Sequence, residues 1–434
     1  MYTKRLLLNE LATSLRSGEK DIFSYINETC DLIEKVEPQI KALLPEPNRR
    51  ERLLKEAKEL EEKYPNFALR PPLYGVLIGV KDIFNVDGFP TQAGSRLPKE
   101  LFEGPEALCV KKLREAGALI LGKTVTTEFA YFHPGPTRNP HNLKHTPGGS
   151  SSGSAAAVSA GFCPLAFGTQ TIGSIIRPAA YCGIVGFKPS YDRIPTEGMI
   201  YFSKTSDHVG LFTQDIEGMI LAASVFCLDW QEQDIPRELP ILGIPEGSYL
   251  DQATPEALHV FSEQINLLKA KGYKVKPVNA FEDIADINKR HRELGAAEMA
   301  QVHSAWYGKH KDLYSLHSVQ VFEKGEKISS AKLSELQIKG KELRGKLAKI
   351  MEEEGIDLWV SPSATDTAPL GLESTGNPIM NLPWTHAGVP VISLPVGQDS
   401  NKLPWGLQIA ARFMQDEKLL VWSQGIYEIF QSRG

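Results

Sequence analysis

The chain has 434 residues, 42% hydrophobic and 23% charged, which is enough apolar sequence to bury a large core without disulfide or metal staples. A formal net charge of −5, with no window pairing clustered Lys/Arg with aromatics, argues against a nucleic-acid ligand. The five cysteines (Cys30, Cys109, Cys163, Cys182, Cys227) form no CxxC pair, and the longest weakly polar stretch, Ser154 to Gly168, is too short for a membrane span. These features predict a reducing cytoplasm, no zinc site and no membrane.

The start, MYTKRLLLNELATSLRSGEKD, carries charge every few residues and lacks the apolar core of a secretory signal, so it reads as a first helix. Helices are predicted over Arg5 to Arg16, Lys20 to Val36 and Arg49 to Lys63, the last laced with acids and bases at helical spacing. They make an outer helical subregion over residues 1–66. From Leu73 short apolar runs alternate with helices: the strand LYGVLIGV, a helix near Ala107 to Glu115, then the strand GALILGK. At Thr254-Pro-Glu a helix starts, with Thr254 as N-cap and Pro255 in the first position; Gly272 ends it before the strand YKVKPV. The pattern returns at Ala331 to Glu354, followed by Gly355 and the strand IDLWVSP. The weakly patterned stretch Lys289 to Lys327 fits either a cap over a cleft or a surface helical insertion. Such alternation predicts a mostly parallel sheet covered on both faces, an α/β fold in one domain over 1–434 with no linker dividing it.

The chemistry concentrates between Lys81 and Pro189. The loop His145-Thr-Pro-Gly-Gly-Ser-Ser-Ser-Gly-Ser154 opens an Ala-rich helix but matches neither the nucleotide P-loop nor the GxGxxG pattern. Within it Gly149-Ser-Ser-Ser-Gly153 satisfies G-x-S-x-G, the nucleophile elbow with Ser151 as nucleophile, yet that motif needs a strand directly before it. What precedes it is polar and broken by Pro140 and Pro147, which a central strand does not tolerate. Three serines flanked by glycines can instead supply tight turns and hydroxyls that pass protons, or simply cap a helix. Further on, Ser174 directly follows Gly173 in Gly168-Thr-Gln-Thr-Ile-Gly-Ser-Ile-Ile-Arg-Pro178. Successive N–H groups of such a turn can point at one oxygen, as a tetrahedral acyl intermediate requires. Lys81 ends its apolar strand, a position usually held by a solvated charge.

Gly79-Val-Lys-Asp82, Pro147-Gly-Gly-Ser-Ser-Ser-Gly-Ser-Ala155 and Gly173-Ser-Ile-Ile-Arg-Pro-Ala-Ala-Tyr-Cys-Gly183, in this order, resemble the amidase signature family. GKTVTTEFA, NPHN, SDHVG, AGVPVISLPVG and LPWGLQIAARF are similar to further segments of that family, whereas residues 220–350 match weakly and read as a variable substrate-pocket or cap region. The resemblance implies a three-layer α/β/α sandwich around a mixed sheet of about eleven strands. By position, Lys81 matches the family's catalytic lysine, Ser150 its cis-serine, which follows a non-proline cis peptide, and Ser174 its acylated serine. The implied oxyanion hole is formed by backbone N–H groups around Thr171, Ile172, Gly173 and Ser174. Ile172 stands where many relatives have glycine, and Arg177 lies three residues after the nucleophile. Both look like the malonamidase-type branch, in which this arginine can meet a substrate carboxylate; the alternative for Arg177 is a structural ion pair. Tyr131 and Phe132 are candidate acyl-pocket walls or plain core, and Cys182 reads as a small core residue.

The implied mechanism has a neutral Lys81, its pKa lowered by desolvation, draw a proton from Ser150, which deprotonates Ser174; the relay reversed protonates the leaving nitrogen. The ten histidines, including His133, His141 and His145 beside the loop, have no part in it. The expected activity is hydrolysis of linear carboxylic amides, with esters or carbamates as further substrates, without metal or organic cofactor. The expected partner is a small-molecule amide, and a homodimer is compatible with the sequence. Two competing readings are a glutaminase-type A subunit of a tRNA-dependent amidotransferase and a scaffold that has lost the chemistry. Against the first stand Ser152, where glycine is usual, Ile172 and a short C-terminal end; against the second stands the presence of Lys81, Ser150 and Ser174.

Overall fold

Ten strands join in one sheet in the computed structural model, which describes residues 1–234 and 238–432. In chain order they are β1 (Leu77–Lys81), β2 (Leu119–Thr124), β3 (Leu165–Gln170), β4 (Val185–Lys188), β5 (His208–Thr213), β6 (Leu242–Pro245), β7 (Val275–Val278), β8 (Leu358–Pro362), β9 (Val391–Gln398) and β10 (Pro404–Ala410). Their spatial order is β2-β1-β3-β5-β4-β9-β10-β8-β6-β7. Strands β1 to β5 are buried at every position, the signature of a sheet covered by helices on both faces. The α/β sandwich stands as expected, with ten strands among the described residues in place of about eleven.

The mostly parallel expectation needs correction. Among the described residues parallel pairs occur only in the two wings, β1 with β2 and β3, and β6 with β7 and β8. The centre is antiparallel throughout: β3 with β5, β5 with β4, β4 with β9, β9 with β10, and β10 with β8. A run of apolar residues reports burial on both faces and says nothing of direction. Where a full helix joins two strands, as Leu108–Glu115 joins β1 to β2 and Pro255–Ala270 joins β6 to β7, the crossover makes them parallel. Only residues 399–403 separate β9 from β10, so that pair folds back as a hairpin.

Helices with strong local signals lie where the sequence predicts them. Arg49–Lys63 keeps both predicted ends. Pro255–Ala270 is capped by the Thr254 hydroxyl, which accepts from Ala257 N at 3.2 Å. The second helix runs on to Ile40 because Val36 and Ile40 continue its buried stripe. The stretch that read as cap or insertion forms helices Ile284–His310 and Leu316–Gly325. The Glu128 carboxylate ties the latter to the core, accepting from Ser315 N at 3.1 Å and Ser318 Oγ at 2.6 Å. Among the described residues no helix is long and apolar enough to cross a membrane.

Candidate active site

Lys81 ends the buried strand β1, and its side chain is fully buried. Its Nζ lies 2.7 Å from Ser150 Oγ, 3.0 Å from Ser151 Oγ and 2.8 Å from Thr169 Oγ1. Burial lowers the Lys81 pKa well below the ordinary lysine value, against an opposing pull from the Asp207 charge. A neutral amine offers two N–H donors and one lone pair. Ser151 Oγ donates its own proton to the Thr169 carbonyl (3.1 Å), so toward Lys81 it accepts. In that neutral form the lone pair is left to face Ser150 or Thr169.

The elbow reading of Ser151 does not survive this arrangement. No strand precedes Gly149, and the Ser151 hydroxyl is completely buried and turned inward onto Lys81 and Thr169. Ser150 follows a cis Gly149–Ser150 peptide. Arg177 Nη2 donates to the Gly149 carbonyl at 2.6 Å and to Thr375 Oγ1 at 3.1 Å, while Nη1 donates to the Gly376 carbonyl at 2.8 Å. The ion-pair alternative for Arg177 is therefore corrected: its partners are two carbonyls and a hydroxyl, and it fixes the loop that carries Ser150.

Ser174 sits in the turn between β3 and helix Ile176–Cys182, 7% exposed. Gln170 shapes this turn, its Oε1 accepting from Ile175 N (2.8 Å) and Ile176 N (3.0 Å) and its Nε2 donating to Thr385 Oγ1 (2.9 Å). Thr385 Oγ1 in turn donates to the Ile172 carbonyl at 2.7 Å. The Thr171 hydroxyl donates to Asp207, and the Thr171 carbonyl accepts from His291 Nε2 at 2.8 Å. Among the described residues the N–H groups of Thr171, Ile172, Gly173 and Ser174, the four named for the oxyanion hole, donate to no protein acceptor. Gly173 must be glycine here, since a Cβ would lie 2.8 Å from Pro378 Cβ and collide with Asn381.

Ser150, Ser174, Thr171, Ile172 and Arg177 line one small pocket together with Tyr131 and Phe132. Tyr131, Phe132, Thr171 and Ile172 also line a cleft of about 690 Å³ whose far wall comes from the cap helices through Arg292, His317 and Lys324. Residues of the stretch from 289 to 327 thus line this cleft. Tyr131 stacks on Phe202 with ring centroids 4.9 Å apart, and both rings line the small pocket. His141 and His145 hold backbone carbonyls of Cys182 and Ala368, and none of His133, His141 and His145 lines the small pocket. Cys182 is buried, and desolvation raises its thiol pKa, as a core residue's would be.

Several residues that act on this site carry no sequence signal of their own. Thr169, Asp207, His291 and the neighbouring pair Thr385 and His386 reach it from four separate places in the fold. Asp207 lies inside the SDHVG segment, where only position in the motif could have singled it out. Burial raises its carboxyl to about 6 even though Phe202 N (2.8 Å) and Ser203 N (3.0 Å) donate to it.

A family model described as Amidase matches residues 24–420. The chain is 30% identical to the A subunit of the glutamyl-tRNA(Gln) amidotransferase of Chlamydia felis, over 96% of this chain and 94% of that protein. It is 29% identical to the protein of the same name from Syntrophus aciditrophicus, over 97% and 96%. Among solved structures it superposes on an amidase with a TM-score of 0.86 at 28% identity, covering 99% of this chain and 100% of that one. The peptide amidase of Stenotrophomonas maltophilia shares the fold, with a TM-score of 0.82 at 23% identity over 98% and 97%.

Proposed function

The chain belongs to the Amidase family, and from that footing we propose that it hydrolyses linear carboxylic amides through an acyl-enzyme on Ser174. The observation that carries this reading is the 2.7 Å contact of buried Lys81 Nζ with Ser150 Oγ, beside a turn of unpartnered N–H groups that ends on Ser174. Ser174 Oγ attacks the amide carbonyl carbon, giving its proton to Ser150 as Ser150 gives its own to Lys81. The oxyanion forms against the N–H groups of Ile172, Gly173 and Ser174. As the C–N bond breaks, the proton returns through Ser150 to the leaving nitrogen, and water, activated by the same relay, releases the acid. None of these steps calls on a metal or organic cofactor.

The names of the curated relatives support a second reading, a glutaminase-type component of a tRNA-dependent amidotransferase, since they match this chain nearly end to end. One experiment addresses both. Purified alone, the chain should turn over simple amides and take a serine-directed fluorophosphonate on Ser174. A label on Ser151 by peptide mass spectrometry would overturn the assignment, and turnover appearing only with added partners would favour the amidotransferase component.

The malonamidase-type branch is a finer proposal that requires Arg177 to bind a substrate carboxylate. Its Nη1 and Nη2 are held by the Gly149 and Gly376 carbonyls and Thr375, while Nε is buried without a partner among the described residues. Leaving a buried acceptor without its donor costs about 1–3 kcal/mol. Arg177→Ala should therefore lower the melting temperature and slow carboxylated and neutral amides alike. A rise in KM confined to carboxylated amides would restore the branch reading.

A further inference from the structure

Two buried histidines from different elements stand behind the oxyanion turn. His291, on the cap helix Ile284–His310, directs Nε2 at the Thr171 carbonyl (2.8 Å), and its Nδ1 lies 3.2 Å from Nδ1 of His386 on helix Leu382–Ala387. Imidazole chemistry decides where the protons sit. A carbonyl oxygen only accepts, so His291 carries its hydrogen on Nε2, and in the neutral ring Nδ1 is then a lone pair. His386 must donate to it from Nδ1, which leaves His386 Nε2 bare. That atom is indeed buried without a partner. Burial keeps both rings neutral, lowering His291 to about 4 and His386 to about 3.

The peptide plane converts this anchor into an orientation. The carbonyl of residue 171 and the N–H of residue 172 belong to one rigid unit and point in opposite directions, so holding the oxygen aims the hydrogen. The next peptide is treated the same way, because Thr385 Oγ1 holds the Ile172 carbonyl (2.7 Å) and so aims the Gly173 N–H. Thr385 and His386 are neighbours on one short helix, whereas His291 comes from the cap, beside Arg292, Gly295 and Ala296 of the cleft wall.

We propose that His291, its tautomer set by His386, is a positioning residue that aims the Ile172 N–H into the oxyanion hole and so makes the seat of the cap helix a condition for acylation. This rests on the reading of Ser174 as the acylated residue. Thr171 is otherwise held through its hydroxyl by Asp207, a contact made by the side chain and not by the peptide.

The test compares two polar variants that differ in reach. In His291→Gln the side-chain amide places an N–H near the position of Nε2, in contact with the Thr171 carbonyl; in His291→Asn it reaches only the position of Nδ1. The readout is the second-order rate of fluorophosphonate labelling at Ser174, with the melting temperature of each protein alongside. Loss of an oxyanion donor slows acylation by about 10²–10³-fold, so a misaimed one should slow labelling of His291→Asn by roughly 10–100-fold. His291→Gln should label within a few fold of the unmodified chain at a similar melting temperature. His386→Asn, which keeps a donor at the Nδ1 position, should behave like His291→Gln. Labelling of His291→Asn at the unmodified rate, or equal slowing of the Asn and Gln variants in step with their melting temperatures, would overturn the inference while leaving Ser174 assigned. An unmodified chain that takes no label at Ser174 would instead remove the nucleophile assignment, and the inference with it.

Discussion

Ser174→Ala should reduce amide turnover by about 10⁴–10⁶-fold, the scale on which nucleophile-relay enzymes fail when one member is lost. No neighbouring hydroxyl can substitute. Ser151 is the nearest rival by motif, but its proton goes to the Thr169 carbonyl and its oxygen accepts from Lys81, so it has no path to substrate. Ser150 is committed to Lys81. The fold should hardly notice the change, because the Ser174 hydroxyl makes no hydrogen bond among the described residues and only an oxygen is removed. A stability change within about 0.5 kcal/mol is expected, as for substitutions that break no cap, core or buried pair. Residual activity should come from binding and from the unpartnered N–H groups, and it should be lost on a further change to the turn. Turnover above a hundredth of the unmodified rate, in protein expressed so that no natural enzyme contaminates it, would disprove Ser174 as nucleophile.

The proposed catalytic set could be named from the sequence because each member sits in a dense local pattern that resembles the family's. Lys81 closes an apolar run, Ser150 follows a pair of glycines, and Ser174 follows Gly173 in a segment without helical or strand period. The helices Arg49–Lys63 and Pro255–Ala270 were readable for the same reason, one from charge periodicity and the other from the Thr254-Pro255 start. What the sequence concealed is what depends on packing. Strand direction in the centre of the sheet follows from connections that skip a neighbour, as when β5 inserts between β3 and β4. Thr385 and His386 lie more than two hundred residues beyond the turn they support, and a buried histidine has no local pattern distinct from any other. Arg177 illustrates the intermediate case: its place beside the site was legible, but its partners are carbonyls, which every residue carries and no pattern marks.

Lys81 as a neutral base predicts the form of the pH profile. Below its folded-state pKa Lys81 is an ammonium with no lone pair, so Ser150 cannot pass its proton on; above that pKa the amine accepts it. kcat/KM should therefore rise with pH through one ionisation and then level off. Because burial lowers this pKa, the limb should lie well below the free lysine value of about 10.4. Asp207 supplies a check on the sign. Its charge favours the ammonium, so Asp207→Asn should move the limb toward lower pH, whatever it does to the plateau through Thr171. Lys81→Ala should remove the limb and cut amide turnover by about 10²–10⁴-fold, the usual worth of general acid–base catalysis. An activated ester should suffer less, since a good alkoxide leaves without the proton that an amide nitrogen needs. Lys81→Arg should fail as well, because guanidinium does not deprotonate in proteins. Replacement of His133, His141 or His145 should leave the limb in place, as none of them lines the pocket of Ser150 and Ser174. A limb that persists in Lys81→Ala and disappears with one of these histidines would mean that the proton leaves Ser174 by another route.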